Sequence, residues 1–183
     1  MILKNITKSY SGKVILDNLS FEIPDSGVFG IFGASGRGKT TLIRLLCGLE
    51  SPDSGEMIGA EGKNFSVVFQ EDRLFPSLTA LRNVSLVSDE ATARRLLALV
   101  GLEGSEDKYP DELSGGMSRR VAIARALAYG GDGLILDEPF KGLEFELKEH
   151  IGKLISEYAQ IKPVIIVTHD EYGKTLSDNN VVL

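Results

Sequence analysis

Residues 28–40 of this 183-residue chain are Val28-Phe29-Gly30-Ile31-Phe32-Gly33-Ala34-Ser35-Gly36-Arg37-Gly38-Lys39-Thr40. The first five form a continuously apolar run, which predicts a short strand buried on both faces. The other eight match the pattern G-x-x-x-x-G-K-T, whose glycines let main-chain N–H groups wrap around a phosphate at the start of a helix. The stretch therefore predicts a strand, a phosphate-binding loop and a helix, in that order.

The chemistry expected of this loop follows from its residue types. Lys39 should bridge the β- and γ-phosphates of a nucleotide, and the Thr40 hydroxyl should ligate Mg²⁺. The alternative is a glycine-rich turn that ends by chance in Gly-Lys-Thr, and the strand before it and helix after it disfavour that reading. The predicted cofactors are ATP and Mg²⁺, and the predicted nucleotide-binding residues are Gly33, Ala34, Ser35, Gly36, Arg37, Gly38, Lys39, Thr40 and Thr41.

A second motif is the apolar run that ends in acidic residues, Leu134-Ile135-Leu136-Asp137-Glu138-Pro139. The carboxyl edge of a parallel sheet is where ligands of α/β proteins bind, so Asp137 is expected to lie near the metal. Glu138 would then orient or deprotonate the attacking water. Alone the motif is weak, because acidic residues at strand ends often only meet solvent. Together with the loop at 33–40 it predicts a phosphoryl-transfer site.

A third motif opens a predicted helix with Ser114, Gly115 and Gly116. Serine is a good N-cap in any helix. Two glycines directly after the cap are harder to explain, since each costs a helix about 1 kcal/mol. They indicate a backbone that approaches something closely, and an anion at a helix N-terminus is the natural candidate.

The remaining pattern predicts an α/β fold with a largely parallel core sheet, because buried strands alternate with helices. We expect one domain over residues 1–183, with a small antiparallel β part and a helical part at about 71–130. The predicted strands are 2–10, 14–23, 28–32, 55–59, 65–69, 134–136 and 164–167, and the predicted helices are 40–49, 78–86, 90–100, 114–128, 143–158 and one from Asp170.

Composition narrows the function classes. A net charge of −6 argues against nucleic acid as a partner, since such proteins usually carry a basic face. The single cysteine, Cys47, excludes an internal disulfide, suits a reducing cytosol, and reads as a packing residue rather than a reactive thiol. No apolar stretch approaches the roughly 20 residues that span a bilayer, and no secretory signal is evident. A membrane role is therefore expected only through a partner.

The order of these motifs, with Gln70 and His169 between and after them, resembles the nucleotide-binding subunit of ATP-binding cassette (ABC) transporters. The resemblance covers nearly the whole chain, and Leu113-Ser114-Gly115-Gly116 is its most specific element. Residues 68–76 and 139–143 are most similar to bacterial importers of the nitrate/sulfonate/taurine type. The resemblance implies an ATPase of the P-loop type that powers separate integral membrane subunits, located in the cytoplasm at the inner face of the membrane.

The resemblance also implies roles for single residues. Tyr10 matches the aromatic that stacks on adenine, although a core strand aromatic is an alternative. Gln70 would sense Mg²⁺ and the γ-phosphate and face the membrane partner, and His169 would contact the γ-phosphate. Ser114, Gly115 and Gly116 would contact the nucleotide of a second copy in a head-to-tail dimer. The catalytic set is then Glu138, His169 and Gln70, and the metal ligands are Thr40, Gln70 and Asp137.

Two positions depart from the family pattern. Met117 stands where many members have glutamine, and Glu144 stands where an aspartate is usual. Exposed Leu74, Phe75, Pro76 and Leu78 would either receive the membrane partner or cover the helical core. Two alternative functions stay open: a non-transport ABC ATPase, which would carry a long coiled coil between Gln70 and Leu113, and a nucleotide-gated dimerisation switch with little hydrolysis.

Overall fold

In the computed structural model, which describes residues 1–34 and 36–183, a five-stranded parallel sheet forms the centre of the chain. Its strands are β3 (Val28–Phe32), β5 (Phe65–Val68), β6 (Gly133–Asp137), β7 (Val164–Val167) and β8 (Asn179–Val182), in the order β5-β6-β7-β3-β8. Every residue of β3, β6 and β7 is buried, as expected of central strands covered on both faces.

The two faces of this sheet pack against different layers, because successive side chains of a strand point to opposite sides. Leu134 and Leu136 of β6 join a core with the helical part of the chain. Ile135 of the same strand joins a second core with helix α1 (Lys39–Leu46), which contributes Leu42 and Leu45.

A three-stranded antiparallel sheet closes the second core. It consists of β1 (Ile2–Tyr10), β2 (Lys13–Glu22) and β4 (Ser54–Ile58), in the order β2-β1-β4. Leu3, Ile6 and Leu16 turn inward from it. The register shifts along β1, where Asn5 adopts a left-handed backbone with φ of 52°. Such an irregularity increases the local twist and bends the sheet over the core.

The helical part consists of α2 (Ala80–Ser85), α3 (Glu90–Leu99), a 3₁₀ turn at Pro110–Glu112 and α4 (Gly115–Tyr129). Ser114 is the N-cap of α4, as the sequence predicts, and its hydroxyl accepts a hydrogen bond from the Met117 amide at 3.3 Å. Buried Asn83 fastens the preceding loop: its side chain accepts from the Phe75 amide at 2.8 Å and donates to the Leu78 carbonyl at 2.9 Å.

Helices α5 (Phe145–Ala159) and α6 (Glu171–Thr175) complete the fold. The predicted fold class, a P-loop α/β protein with a mostly parallel sheet and a small antiparallel sheet, is confirmed. Strand β8 was not predicted, and α1 ends at Leu46 rather than at residue 49. Among the described residues, no helix has the length and hydropathy needed to cross a bilayer.

The sequence left open whether the segment after Gln70 receives a membrane partner or covers the helical core, and the structure has both exposed and packed residues there. Leu74 packs against the helical core, whereas Phe75 and Pro76 are exposed. Between Gln70 and Leu113 the only helices of regular α type are α2 and α3, of 6 and 10 residues, so the long coiled coil of a non-transport ABC ATPase is absent from this fully described segment.

Candidate nucleotide-binding site

A cavity of about 340 Å³ lies at the carboxyl edge of the parallel sheet, where β3, β6 and β7 end. Its walls are mostly polar side chains and loop glycines, as expected of a site for a phosphorylated ligand. The lining residues are Tyr10, Ile15, Gly36, Gly38, Lys39, Thr40, Thr41, Gln70, Asp137, Glu138, Lys141 and His169.

The glycine-rich loop between β3 and α1 forms one side of this cavity. Gly36 and Gly38 have φ values of 81° and 93°, in the left-handed region that favours glycine. A Cβ atom at Gly38 would also lie 2.8 Å from Leu16 Cδ2 and 3.1 Å from the Ile15 carbonyl oxygen. The loop therefore has both the backbone shape and the close approach to β2 that require glycine. The predicted ligand residue Ser35 lies outside the described residues.

Lys39, the first residue of α1, places its ammonium group inside the loop. Its Nζ donates to the carbonyl oxygens of Gly33 at 2.7 Å and Ala34 at 3.1 Å. No carboxylate lies within 4.0 Å of it among the described residues. The positive charge is held by neutral carbonyls and remains available to an anion at the N-terminus of α1.

Opposite the loop, β6 ends at Asp137 and Glu138 follows it, and both carboxyl groups are buried. Asp137 is 5% exposed and Glu138 is 7% exposed. Burial raises the pKa of the Asp137 carboxyl, the neighbouring charge of Glu138 raises it further, and Lys39 and Arg119 offset part of the effect. A cation placed beside Asp137 would stabilise the charged form of this carboxyl and offset the cost of its burial.

Glu138 is held by hydrogen bonds to both of its side-chain oxygens. The Thr168 hydroxyl donates to Oε2 at 2.9 Å, and Nδ1 of His169 lies 2.6 Å from Oε1. Its backbone is left-handed, with φ of 53°, although it is not glycine. Such a conformation costs on the order of 1–3 kcal/mol and persists only where the surroundings fix it. The structure thus aims this carboxylate into the cavity at an energetic cost.

Gln70 and Thr40 lie beside Asp137 at the edge of the cavity, and all three also line an adjoining cavity of about 350 Å³. The nearby Gln70 backbone N–H lowers the pKa of the Asp137 carboxyl and offsets part of the effect of burial. Among the described residues, no cluster of three or more His, Cys, Asp or Glu side chains forms a metal site. A hydroxyl, an amide oxygen and one carboxylate are the hard oxygen donors that suit Mg²⁺ together with phosphate and water.

Tyr10 stands at the outer end of the cavity and is 38% exposed, so the alternative reading of a core aromatic is wrong. Its hydroxyl donates to the Glu50 carboxylate, and Lys8 Nζ lies 5.6 Å from the ring centroid. One face of an anchored ring is thus placed where a base could stack.

Ser114, Gly115 and Gly116 are not among the residues that line this cavity. Ser114 and Gly115 are exposed at the start of α4. The two glycines have different environments: a Cβ atom at Gly116 would lie 2.9 Å from the Gly142 carbonyl oxygen, whereas one at Gly115 would meet no atom within 4 Å. Close packing therefore explains why residue 116 is glycine, whereas the packing of this chain gives no reason for glycine at position 115.

Four residues at the site were not predicted from the sequence. Ile15 and Lys141 line the cavity, Thr168 bonds Glu138, and Arg119 of α4 reaches the backbone of Asp137 at 3.4 Å. Lys141 had a local signal, because it follows Glu138 by three positions. The other three are brought to the site by tertiary contacts alone.

Fold and site together define a P-loop nucleotide-binding protein. Residues 16–141 match the family described as ABC transporter. The aliphatic sulfonates import ATP-binding protein SsuB 3 of Paraburkholderia xenovorans (strain LB400) is 41% identical, over 99% of this chain and 75% of that protein. The Fe(3+) ions import ATP-binding protein FbpC of Pasteurella multocida (strain Pm70) is 37% identical, over 100% of this chain and 58% of that protein.

Solved structures agree with this assignment. The ATP-binding cassette MJ0796, in a dimeric post-hydrolysis state bound to ADP and Pi, superposes with a TM-score of 0.85 at 29% identity, over 100% of this chain and 93% of that chain. This chain therefore belongs to the ABC transporter family, whose ATP-binding subunits are ATPases.

Proposed function

We propose that this chain binds Mg–ATP in the cavity at the sheet edge, hydrolyses it, and so powers import through separate membrane subunits. The observation that carries the proposal is the juxtaposition of Lys39 and the glycine loop with the doubly hydrogen-bonded carboxylate of Glu138 across one cavity. Phosphoryl transfer needs these two elements, a fixed positive environment for the phosphates and an oriented water.

The loop and Lys39 would bind the triphosphate. Main-chain N–H groups and the N-terminus of α1 surround the β-phosphate, and the Lys39 ammonium exchanges its carbonyl partners for phosphate oxygens. Tyr10 supports the base at the outer end of the cavity. These contacts stabilise the negative charge that spreads over the equatorial oxygens during transfer.

Glu138 would position the attacking water and accept its proton. Thr168 fixes one side-chain oxygen and His169 the other, so the carboxylate cannot turn away from the cavity. The side chain of His169 is 77% exposed, which leaves its other ring nitrogen free to reach the γ-phosphate or a second subunit. Proton transfer to a positioned base typically contributes 10²–10⁴-fold to a rate.

Thr40, Gln70 and Asp137 would bind a magnesium ion, because their hydroxyl, amide and carboxylate oxygens are donors that Mg²⁺ prefers. The ion would neutralise phosphate charge when bound. This chain's own part is to hold one hydroxyl, one amide oxygen and one buried carboxylate at a common edge of the cavity.

Two observations support a head-to-tail dimer. Ser114 and Gly115 are exposed at a helix N-terminus that is suited to an anion, yet they lie away from this chain's own cavity. The MJ0796 cassette, which shares the fold, was solved as a dimer. In the proposed dimer each Ser114 end completes the nucleotide site of the other copy.

Import through membrane subunits is supported by the relatives, each of which is named an import ATP-binding protein. The exposed Phe75 and Pro76 lie five and six residues after Gln70 and offer an apolar contact for such a partner. The chain would then act at the cytoplasmic face of the membrane.

Phosphate release from Mg–ATP tests the hydrolytic part of the proposal. Purified protein should release phosphate, and Glu138→Gln should keep ATP binding while its turnover falls by about 10²–10⁴-fold. Glu149→Gln, an exposed change on α5, is the matched control and should retain wild-type turnover. A Glu138→Gln protein that hydrolyses ATP at the wild-type rate would rule out the role given to this carboxylate.

A further inference from the structure

An arginine of helix α4 hydrogen-bonds to backbone carbonyls next to the cavity but does not line it. Arg119 is 4% exposed. Its Nη1 donates to the Phe69 carbonyl at 2.6 Å and lies 3.4 Å from the Asp137 carbonyl, and its Nη2 donates to the Gln70 carbonyl. One guanidinium group thus spans the ends of two neighbouring strands, β5 and β6.

The residues it holds are those that would ligate the metal. Gln70 and Asp137 both line the cavity, whereas Arg119 does not. One planar group with fixed donor directions thus contacts the backbone of both residues whose side chains line the cavity.

A simple packing role would not need a charge at this point. Burying a guanidinium is costly unless its donors are satisfied, and an apolar side chain of similar volume avoids that cost. In addition, Nε of Arg119 and Oδ1 of Asp72 lie only 3.0 Å apart, and both atoms are buried without a well-formed hydrogen bond. The chain keeps a buried guanidinium whose Nη atoms meet backbone carbonyls, which points to a requirement for the donors themselves.

We propose that Arg119 is a positioning residue that sets the metal-binding geometry of Gln70 and Asp137 through their backbone carbonyls. This inference rests on the proposed function, since it concerns the Mg²⁺ of Mg–ATP. Partners behind a ligand commonly change metal affinity by about 10–100-fold when they are removed. Loss of the Arg119 donors should therefore raise the Mg²⁺ requirement.

The same helix supplies a matched control. Arg120 is 8% exposed, and its guanidinium also binds carbonyls, those of Val100 at 3.0 Å, Gly101 at 2.7 Å and Gly116 at 3.3 Å. None of these belongs to the cavity. Arg119→Met and Arg120→Met thus each remove a buried guanidinium from α4, but only the first touches Gln70 and Asp137.

The experiment measures the Mg²⁺ concentration that gives half of the ATP-dependent rise in unfolding temperature, in a Glu138→Gln background that does not consume ATP. Arg119→Met should raise this concentration about tenfold, and Arg119→Lys, which keeps a charge but loses the planar fork, by about threefold. Arg120→Met should lower the unfolding temperature without changing the Mg²⁺ requirement. With Glu138 restored, the Mg²⁺ concentration that gives half of the maximal turnover should rank these variants in the same order.

An Arg119→Met protein with the Mg²⁺ requirement of Arg120→Met would show that Arg119 is structural only. Should Arg119→Met fail to fold, Arg119→Lys decides the matter, and an unchanged requirement in it contradicts the inference. A protein with Arg119 intact that shows no Mg²⁺-dependent rise with ATP would instead overturn the proposed function, and the inference with it.

Discussion

Replacing Gly38 by alanine tests how closely the phosphate-binding loop is packed on β2. The new Cβ atom would lie 2.8 Å from Leu16 Cδ2, 3.0 Å from Ile15 Cγ2 and 3.1 Å from the Ile15 carbonyl oxygen. One of these neighbours is backbone, so the clash cannot be relieved by a side-chain rotation alone. The loop or β2 must shift.

Gly36→Ala is the matched control. Both glycines are left-handed, at 93° for Gly38 and 81° for Gly36, but among the residues that the structure describes a Cβ atom at Gly36 meets nothing within 4 Å. Left-handed backbone costs a residue with a Cβ about 1–2 kcal/mol, which applies to both variants. Forcing atoms into a packed site adds about 1–3 kcal/mol, which applies to Gly38→Ala only. We expect total losses of about 1–2 kcal/mol for Gly36→Ala and about 2–5 kcal/mol for Gly38→Ala.

The measurement is urea denaturation of both proteins without nucleotide. Because the slope for a domain of this size is near 2 kcal/mol per molar urea, the midpoint of Gly38→Ala should lie about 0.5–1.5 M below that of Gly36→Ala. The slopes themselves should agree. Equal midpoints would refute the close approach of Gly38 to Ile15 and Leu16, and with it the account of why this position is glycine.

Two further predictions concern residues outside the loop. Glu144 is the N-cap of α5, but its side chain makes no cap hydrogen bond. Glu144→Asp should bring the carboxylate within reach of the N–H groups of the first turn and raise the free energy of unfolding by about 0.5–1 kcal/mol. Urea denaturation measures this change, and an unchanged midpoint would contradict the prediction. Burial raises the pKa of the Cys47 thiol from 9.0 to about 11. Iodoacetamide should therefore label this thiol about a hundredfold more slowly at pH 8 than a thiol of pKa 9.0. The labelling rate should rise about tenfold per pH unit up to about pH 11. Labelling at the rate of an ordinary exposed thiol would refute the burial of Cys47.

The parts of the site that the sequence predicts are those that one short segment builds by itself. The loop at 33–40 and the acidic end of β6 each follow a buried strand, so local pattern fixes both their conformation and their place at the sheet edge. Ser114 was likewise predicted as the N-cap of α4, because capping depends only on neighbouring residues.

The parts that could not be predicted depend on contacts between distant segments. Arg119 and Thr168 reach the site only because α4 and β7 pack beside β6. Strand β8 begins with Asn179 and Asn180, and such polar residues are tolerated because it pairs at the edge of the sheet, with β3 alone. Gly116 gave a signal of close approach, and the Gly142 carbonyl that lies beside it within this chain could not be read from the sequence.

The loop and the Lys39 ammonium are proposed to bind the triphosphate of ATP. Calorimetric titration of Mg–ATP into Glu138→Gln protein, with and without Lys39→Ala, measures it directly. Loss of hydrogen bonds to a charged group should weaken binding by about 10–100-fold. Lys153→Ala, which removes an exposed charge on α5, should bind as tightly as its parent. Equal affinity in the Lys39→Ala protein would contradict the claim.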